Sequence, residues 1–358
     1  GADNGLKLID LKDKDCDDED WDKLIDQMSV EEIGSLIGVG GFGTSAIDSI
    51  VYPGTKDQDG PAGISGAFYG GKSGMSYPSE VVLASTWNEN LLEEMGKCIG
   101  EDALSTNTVG WYAPGLNTHR TPYGGRNYEY FSEDGFLAGK LAAREIQGVK
   151  TKGVVVYAKH FALNDQELHR HGICIFSNEQ AIREVYLKSF QYAVEDGEAT
   201  GVMSSFNRIG CTWTGAHKGL LTEVLRNEWG FKGCVVTDYA TSSDWMPLTA
   251  GLEAGNTLWL YTEEGMYDDK FVNLANTDKY LLQLGKQACH DILYSYVNSS
   301  AMNGYTSDVT NLSKTIPWWK PTIIAIDVFK GILAAGCITM LVLKIREQKG
   351  EKDESKKA

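Results

Sequence analysis

The chain alternates between continuous apolar runs and segments in which apolar residues recur at every third or fourth position. Runs such as "GVVVYAKHF" and "GCVVTDY" are typical of parallel strands that are buried on both faces. Between the runs, the spacing of residues such as Leu92, Met95 and Ile99 predicts amphipathic helices. This regular exchange predicts βαβ units around a parallel sheet rather than a sandwich of antiparallel sheets.

The predicted strands are "VGWYAPG", "GVVVYAKHF", "ATGVMSSFN", "GCVVTDY" and "NTLWLY". Thr86 with Glu89, and Ser177 with Gln180, have the spacing of a capping box and predict where two of the helices begin. No G-x-G-x-x-G follows a predicted strand and no G-x-x-x-x-G-K-[ST] occurs, so the main nucleotide-binding signatures are absent. We therefore predict an α/β fold, a (β/α)8 TIM-type barrel, with its active site just past the carboxyl ends of the strands.

Composition narrows the class of partner. With 358 residues, 42% of them hydrophobic, the chain can bury a full core. Its formal net charge of -16 argues against nucleic acid as a partner, because nucleic-acid binding needs clustered Lys and Arg. The seven cysteines are scattered without C-x-x-C spacing, and no cluster of residues indicates a metal or another cofactor.

The carboxyl-terminal end predicts one membrane-spanning helix. Residues 323–343 are mostly apolar and number about the 20 residues that a bilayer requires. Asp327 and Lys330 interrupt the run, but they stand three residues apart and are able to pair on one helical face. Trp318 and Trp319 precede the run at the level of an interfacial aromatic belt. The basic residues that follow are Lys344, Arg346, Lys349, Lys352, Lys356 and Lys357. An amphipathic surface helix is the alternative.

These features predict the following organisation. Residues 1–20 are a leader or linker, 21–303 the barrel, 304–322 a linker, 323–343 the transmembrane helix and 344–358 a basic tail. The excess of Lys and Arg after the helix places the tail in the cytoplasm and the barrel outside it, as a single-pass protein of the cell membrane. The start "GADNGLKLID" has no Met and no signal-peptide pattern, so we expect an internal fragment or a processed product.

Candidate functional side chains follow the predicted strand ends one after another. They are Asp59, Arg126, Lys159 with His160, Met203 with Asn207, and Asp238. Each has an ordinary structural role open to it: a tight turn for Asp59, a surface ion pair for Arg126, a satisfied core histidine for His160, core packing for Met203 and a helix N-cap for Asp238. Polar residues do not otherwise terminate every buried run, so their recurrence favours an active site.

The same segments resemble the barrel domain of glycoside hydrolase family 3, which includes β-glucosidases and β-xylosidases. The matching pieces are "DGPAG", "PYGGRNYEYFSEDGFLAG", "KHFALNDQE", "EQAIREVYLKSF", "VMSSFNRIG", "LLTEVLRNEWGFKGCVVTDY" and "AGLEAGNTLWL". They occur in the family's order between residues 21 and 303. The wording "SSFNRIGCTWTG", with a barrel at the carboxyl-terminal end of the chain, is most similar to the subgroup in which a three-layer α/β domain precedes the barrel.

The resemblance implies a retaining glycosidase in which Asp238 is the nucleophile and forms a covalent glycosyl-enzyme. It assigns the walls of the sugar pocket to Asp59, Arg126, Lys159, His160, Met203 and Tyr239. These residues suit a ligand with many oriented hydroxyls, because an arginine, a lysine, a carboxylate and an imidazole can donate or accept hydrogen bonds. The aromatic face of Tyr239 suits a sugar ring. Lys159 and Arg126 are expected to keep the carboxylate of Asp238 ionised.

The sequence departs from the family at two points. Phe206 stands where relatives often have Tyr, so a hydrogen bond to the nucleophile from that position is not expected. Retaining hydrolysis also needs a second carboxyl group roughly 5 Å from the nucleophile, which in this family comes from the second domain. Glu263 and Glu264 are weak candidates after the last predicted strand. His169 and His171 lack the pattern of the branch that uses a histidine instead.

We therefore expect the barrel half of a membrane-anchored exo-β-glycosidase, most simply a β-glucosidase acting on β-glucosides or short β-linked oligosaccharides. Full activity would need the missing three-layer α/β domain. A β-xylosidase is an alternative, because room for a hydroxymethyl group near Asp59 decides between the two sugars. A sugar-binding surface protein that has lost catalysis is the alternative from another class.

Overall fold

The unit Gly1–Asn311 contains a central sheet whose strands include apolar runs of the sequence. The structure is a computed structural model that describes residues 1–67, 71–240, 242–312 and 318–355. Within those ranges the strands are β1 (Gly43–Thr44), β2 (Thr55–Asp59), β3 (Gly110–Tyr112), β4 (Val155–Phe161), β5 (Cys174–Ile175), β6 (Gly201–Ser204), β7 (Arg208–Ile209), β8 (Thr212–Trp213) and β9 (Cys234–Thr237). Strands β5, β7 and β8 form a small separate sheet.

The larger sheet has the order β1-β2-β3-β4-β6-β9. Strand β1 pairs antiparallel with β2, and the other neighbours are parallel. The prediction of eight regular parallel strands is therefore wrong for the described chain, which has six strands in a barrel-like sheet. Beyond β9 the hydrogen bonding continues through an irregular segment, because Thr237 N donates to Leu258 O at 2.9 Å and Trp259 N donates to Ile37 O at 2.9 Å.

The run "NTLWLY" accounts for this irregularity. It was predicted to be a strand, but it makes one parallel bridge, between Leu258 and Val236. Two threonine hydroxyls accept backbone hydrogen bonds here: the amide of Val235 donates to Thr257 Oγ1 at 2.9 Å, and the amide of Leu260 donates to Thr237 Oγ1 at 3.0 Å. Side-chain acceptors of this kind compete with the strand ladder, so the segment stays irregular.

Helices of the first unit cover the outside of the sheet. In the described ranges of that unit they are α1 (Asp20–Ile25), α2 (Val30–Gly38), α3 (Glu80–Ala84), α4 (Glu89–Thr106), α5 (Gly135–Lys150), α6 (Glu179–Ala181), α7 (Lys188–Glu195), α8 (Leu248–Ala254), α9 (Asp268–Ala275) and α10 (Lys279–Val297). Helix α11 (Trp319–Ser355) belongs to the second unit. Two π-helical segments, Ile182–Tyr186 and Gly219–Glu228, complete the connections that were predicted to be helical.

Both predicted capping boxes are wrong. Helix α4 begins after Asn88, whose side chain accepts a hydrogen bond from Leu91 N at 3.2 Å. Helix α6 begins after Asn178, whose side chain accepts from Ala181 N at 2.8 Å. Asparagine is as good an N-cap as serine or threonine, so each helix starts at the asparagine closer to its first apolar turn.

The alternation of side chains along the strands produces two apolar cores. On β4, Val155 and Tyr157 join one core, whereas Val156 and Ala158 join the other. The first core is continued by the amino-terminal segment, in which Leu8 and Leu11 are fully buried. Because successive side chains of a strand point to opposite faces, an unbroken apolar run is what a sheet buried on both faces requires.

The second unit begins at Leu312 and contains α11. This helix begins at Trp319, inside the predicted linker, and runs past the predicted end of the transmembrane segment, because nothing in the sequence up to Ser355 breaks a helix. Asp327 and Lys330 do approach each other, with Oδ1 and Nζ 3.7 Å apart. Residues 313–317 of the predicted linker, and Lys356 and Lys357 of the predicted tail, lie outside the described residues.

Two carboxyl side chains are fully buried inside the first unit: Glu80 on α3 and Glu145 on α5. Glu80 Oε1 accepts a hydrogen bond from Gly115 N at 3.1 Å, whereas both oxygens of Glu145 lack a hydrogen-bond partner among the described residues. Burial raises the pKa of Glu145 to about 8, and burial together with the charge of Glu145 raises the pKa of Glu80. At neutral pH Glu145 therefore retains its proton in the folded state.

We expect Glu145→Gln to stabilise the unit at pH 8 but not at pH 4. A carboxyl whose pKa rises from 4.5 to about 8 on folding weakens the fold as pH rises through that interval, because only the unfolded chain ionises. A glutamine cannot ionise, so the thermal midpoint at pH 8 should rise by roughly 5 °C. Scanning calorimetry at both pH values measures this. The exposed residue Glu94 provides the control Glu94→Gln, and equal effects of Glu145→Gln at the two pH values would contradict the prediction.

Candidate active site

A cavity of about 940 Å³ opens where the strands end. Its walls include all seven residues that the sequence assigned to the site: Asp59, Arg126, Lys159, His160, Met203, Asp238 and Tyr239. Asp59 ends β2, Lys159 and His160 lie near the end of β4, Met203 lies in β6, and Asp238 follows β9. Because β2, β3, β4, β6 and β9 are parallel, their carboxyl ends meet at the same edge of the sheet. The predicted residues are therefore brought together by topology.

The side chain of Lys159 lines the cavity and is almost completely buried. The side chain of Lys159 is 2% exposed, and its Nζ lies 2.5 Å from Asp59 Oδ1 and 3.3 Å from Glu129 Oε1. Burial lowers the pKa of Lys159, but the carboxylates of Asp59 and Glu129 outweigh burial and hold the pKa above its ordinary value. The lysine is therefore a permanent cation, and it joins the end of β2 to the loop that follows β3.

A chain of ion pairs continues from Glu129 along the wall. Arg126 donates to both oxygens of Glu129, at 2.7 Å from Nε and 2.6 Å from its terminal nitrogen. Arg126 also lies 3.6 Å from Glu167, which in turn lies 2.9 Å from Arg170. Burial raises the pKa of Glu129, but the charges of Lys159 and Arg126 outweigh it, so the pKa of this carboxyl stays below its ordinary value. Two forked cations are thus fixed in the wall by shared carboxylates.

His160 presents a neutral imidazole to the cavity. Its backbone is held by Asn117, whose Oδ1 accepts from His160 N and whose Nδ2 donates to His160 O, both at 2.9 Å. Its Nδ1 lies 3.2 Å from the hydroxyl of Tyr130, and its Nε2 lies 3.6 Å from Asp238 Oδ2. Burial, with the charges of Arg126, Lys159 and Arg170, lowers the pKa of His160 far below its ordinary value. A neutral ring can both donate and accept hydrogen bonds.

Asp238 does not cap a helix. The next helix in the described chain is α8, which begins at Leu248, and Asp238 Oδ1 accepts from the adjacent amide of Tyr239 at 2.8 Å. Its Oδ2 has no hydrogen-bond partner among the described residues. Burial raises the pKa of Asp238, opposed by Arg126, Arg170 and Lys159. Arg126 and Lys159 thus favour the ionised carboxylate, in the direction expected from the sequence, although burial outweighs them in the pKa.

The remaining candidates divide into those at the cavity and those away from it. Met203 is buried at the cavity wall, and Tyr239 follows Asp238 with its hydroxyl 3.4 Å from Thr262 Oγ1. Asn207 is absent from the lining; its side chain donates to the backbone of Ala162 at 3.0 Å. The other residues that do not line the cavity are Glu263, Glu264, His169 and His171.

Sequence reasoning missed four charged residues of the wall: Glu80, Glu129, Glu167 and Arg170. They lie in a helix, a helical turn or a loop rather than at strand ends, so the rule that found the others did not apply. A signal existed for Glu129, since it follows Arg126 by three residues, a spacing that permits pairing in a helical turn. Arg170 had no comparable signal, because its place depends on the path of the loop after β4.

A family model matches the region that contains this site. Residues 59–258 match the model described as "Glycosyl hydrolase family 3 N terminal domain", which is more than half of the chain. The chain belongs to glycosyl hydrolase family 3. Its β-glucosidase relatives include beta-glucosidase A of Butyrivibrio fibrisolvens, which is 38% identical over 222 residues and is matched over 60% of this chain and 27% of its own length.

Other family 3 members agree with this assignment. Thermostable beta-glucosidase B of Acetivibrio thermocellus is 34% identical over 283 residues, which are 76% of this chain and 37% of that protein. The solved structure of beta-glucosidase 3B from Thermotoga neapolitana in complex with alpha-D-glucose has a TM-score of 0.73 at 30% identity, over 81% of this chain and 44% of that one. The family 3 chain described here thus spans about a quarter to under half of the length of these relatives.

We expect Lys159→Met to destabilise the family 3 unit strongly. Removing one partner of a buried ion pair leaves the carboxylate of Glu129 short of a cation, which costs about 3 kcal/mol in the free energy of unfolding. Urea unfolding of Lys159→Met measures this. The matched control is Lys97→Met, because Lys97 pairs with Glu93 at 2.6 Å on an exposed helix surface and should contribute less than about 1 kcal/mol. Comparable losses in the two variants would contradict the prediction.

Proposed function

We propose that this chain carries the nucleophile and sugar pocket of a retaining exo-β-glycosidase, a β-glucosidase that acts on terminal β-D-glucosyl residues. Asp238 attacks the anomeric carbon, the aglycone oxygen leaves with a proton from a general acid, and water then hydrolyses the glycosyl ester. The observation that carries the proposal is that the carboxylate of Asp238 lines a cavity together with every residue the family resemblance assigns to sugar binding.

The charges of the pocket suit a polyol better than an anion or an apolar ligand. Arg126 and Lys159 donate from fixed positions, Asp59 accepts, and the neutral ring of His160 can do either. Each cation is already paired with a carboxylate, so the wall can offer N–H groups to hydroxyls without an excess of positive charge. The β-glucosidase names of the relatives, and the glucose in the complex of the Thermotoga neapolitana enzyme, support glucose as the sugar.

The general acid is proposed to come from outside the described residues, from a further domain. The other carboxylates at the cavity are engaged: Asp59 by Lys159, Glu129 by Arg126, and Glu167 by Arg170. Glu80 also lines the cavity, but its side chain is fully buried and its Oε1 accepts a hydrogen bond from Gly115 N at 3.1 Å. Glu263 and Glu264 are exposed and do not line the cavity.

We propose in addition that α11 spans a lipid bilayer, with the family 3 unit outside the cytoplasm. The stretch Trp319–Lys349 is long and apolar enough to cross a membrane by length and composition. Within its own unit the helix exposes large apolar side chains such as Ile332 and Met340, which a bilayer would cover. Lys344, Arg346 and Lys349 follow the apolar run, as is typical of the cytoplasmic side.

A 2-deoxy-2-fluoro-β-D-glucosyl fluoride tests the proposed nucleophile. Its fluoride leaves with little help from an acid, so a chain with an assembled pocket should form a stable glycosyl adduct even without the general acid. We expect intact-mass and peptide mass spectrometry to place that adduct on Asp238. The Asp238→Asn variant should give no adduct. Asp196→Asn, which alters a partly exposed ion pair with Lys140, should react as the parent does.

Failure of labelling has a specific meaning. A folded chain that binds glucose but forms no adduct contradicts the role of Asp238 and supports the sugar-binding alternative. The corresponding xylosyl fluoride distinguishes the two sugars, because faster labelling by the xylosyl reagent would favour a β-xylosidase over a β-glucosidase.

Alkaline carbonate extraction tests the membrane proposal. The parent chain should stay in the membrane pellet, because burying an apolar helix in lipid is effectively irreversible. Placing charge at the middle of the helix with Leu333→Arg plus Ile332→Asp should release it, whereas Leu333→Val plus Ile332→Leu should leave it in the pellet. Release of the parent chain itself would favour the amphipathic surface helix.

A further inference from the structure

Phe206, which follows β6, contacts two side chains of the loop after β4. The guanidinium carbon of Arg170 lies 4.4 Å from the centre of the Phe206 ring. The imidazole of His171 stacks on the same ring, with centroids 4.2 Å apart and planes inclined by 20°. A cation over an aromatic face and a parallel stacked ring are both attractive geometries, so Phe206 holds two neighbouring residues of this loop.

The ring of Phe206 is itself fixed. Its side chain is buried, and its carbonyl oxygen accepts a hydrogen bond from Trp245 Nε1 at 3.3 Å. The preceding residue, Ser205, donates its amide to Phe161 O at 2.9 Å and accepts at its carbonyl from Trp213 Nε1 at 2.8 Å. A ring that cannot move is a suitable support for a long side chain that has many rotamers of its own.

Arg170 connects this support to the cavity. Its guanidinium pairs with Glu167 at 2.9 Å, and the residue lines the same cavity as Asp238. Its positive charge opposes the effect of burial on the pKa of Asp238. Because Oδ2 of Asp238 has no hydrogen-bond partner among the described residues, the ionised form of this carboxylate depends strongly on the charges around it.

We propose that Phe206 is a positioning residue whose ring fixes the guanidinium of Arg170 in the cavity wall, where Arg170 stabilises the carboxylate of Asp238. The contact is independent of any reaction, but its consequence for catalysis rests on the proposed role of Asp238 as nucleophile. The residue therefore contributes to the site through electrostatics, although it has no polar group of its own.

Other charges also act on Asp238 and must stay constant in a test. The titratable and charged groups that face it, or pair with those that do, are Arg126, Glu129, Lys159, His160, Glu167, Arg170 and Asp59. A change at Phe206 removes none of these charges, and Arg170 is the one whose guanidinium lies over the Phe206 ring, so a shift in the titration of Asp238 reports the position of Arg170. A purely structural role of Phe206 would lower stability without that shift.

The experiment is a double-mutant cycle read by the titration of Asp238. Carboxyl carbons of aspartate are labelled with ¹³C in the full chain, and the Asp238 signal is assigned with Asp238→Asn. We expect Phe206→Leu to raise the apparent pKa of Asp238 by about half to one unit, because the guanidinium loses its support. In an Arg170→Gln background the same change should have no further effect, since Phe206 would then have nothing to position.

Two further variants keep the test decisive. Phe271→Leu removes a fully buried ring that does not line the cavity and should leave the Asp238 titration unchanged. Phe206→Met preserves more of the side-chain volume and should reproduce the shift if Phe206→Leu does not fold. The proposal is overturned if the folded Phe206 variants titrate as the parent does, or if their shift is equally large without Arg170.

The outcome is separable from that of the proposed function. Labelling by the fluoroglucosyl fluoride decides whether Asp238 is a nucleophile, whereas the titration decides whether Phe206 acts through Arg170. If Asp238 is labelled, the acidic limb of the pH dependence of labelling in Phe206→Leu should move upward by the same amount as the titration. If the parent chain is not labelled, the titration still confirms or overturns the role of Phe206.

Discussion

The buried ammonium of Lys159 is the group on which the rest of the site depends. A cation without solvent must be neutralised nearby, and Lys159 is neutralised by Asp59 at 2.5 Å and Glu129 at 3.3 Å. These carboxylates belong to the end of β2 and to the loop after β3, so satisfying one charge fixes three parts of the chain against each other. Glu129 also pairs with Arg126, and the chain of ion pairs continues through Glu167 to Arg170. The ion pairs that hold these loops in place are therefore the same ion pairs that shape the cavity.

The same arrangement sets the acidity of the proposed nucleophile. Asp238 is buried enough for its pKa to rise, and the three cations that oppose this are all held at fixed places by other carboxylates. Such fixed charges need no reorganisation when a glycosyl group is bound or released, which is how a preorganised site lowers a barrier. His160 contributes differently, because burial, together with the cations that surround it, lowers its pKa and keeps the ring neutral and therefore available as donor or acceptor.

Strand ends were readable from the sequence because a buried apolar strand that stops at a charged side chain brings that side chain to the edge of the sheet. That rule predicted Asp59, Arg126, Lys159, His160, Met203 and Asp238 as candidates, and the family resemblance added Tyr239. The rule did not predict Arg170, because the position of that residue depends on the tertiary path of a loop. It did predict Asn207, whose side chain instead donates a hydrogen bond to the backbone of Ala162. The predicted strand "NTLWLY" was also wrong. The hydroxyls of Thr237 and Thr257 accept backbone hydrogen bonds at this segment, and the apolar pattern of the sequence does not reveal them.

The ion pairs in the wall of this cavity suit it to binding a polyol, but they make its carboxylates unsuitable as proton donors. Among the described residues, the carboxylates Asp59, Glu129 and Glu167 at the cavity each already share a hydrogen bond or ion pair with a cation. Glu145, whose pKa burial raises to about 8, does not line the cavity, and Glu80, which does line it, has a fully buried side chain with one oxygen held by Gly115 N. An acid and a nucleophile need environments that push their pKa values apart. A wall of paired cations provides only one of these environments, which is why we propose that the general acid is carried on a structure that approaches the cavity from outside it.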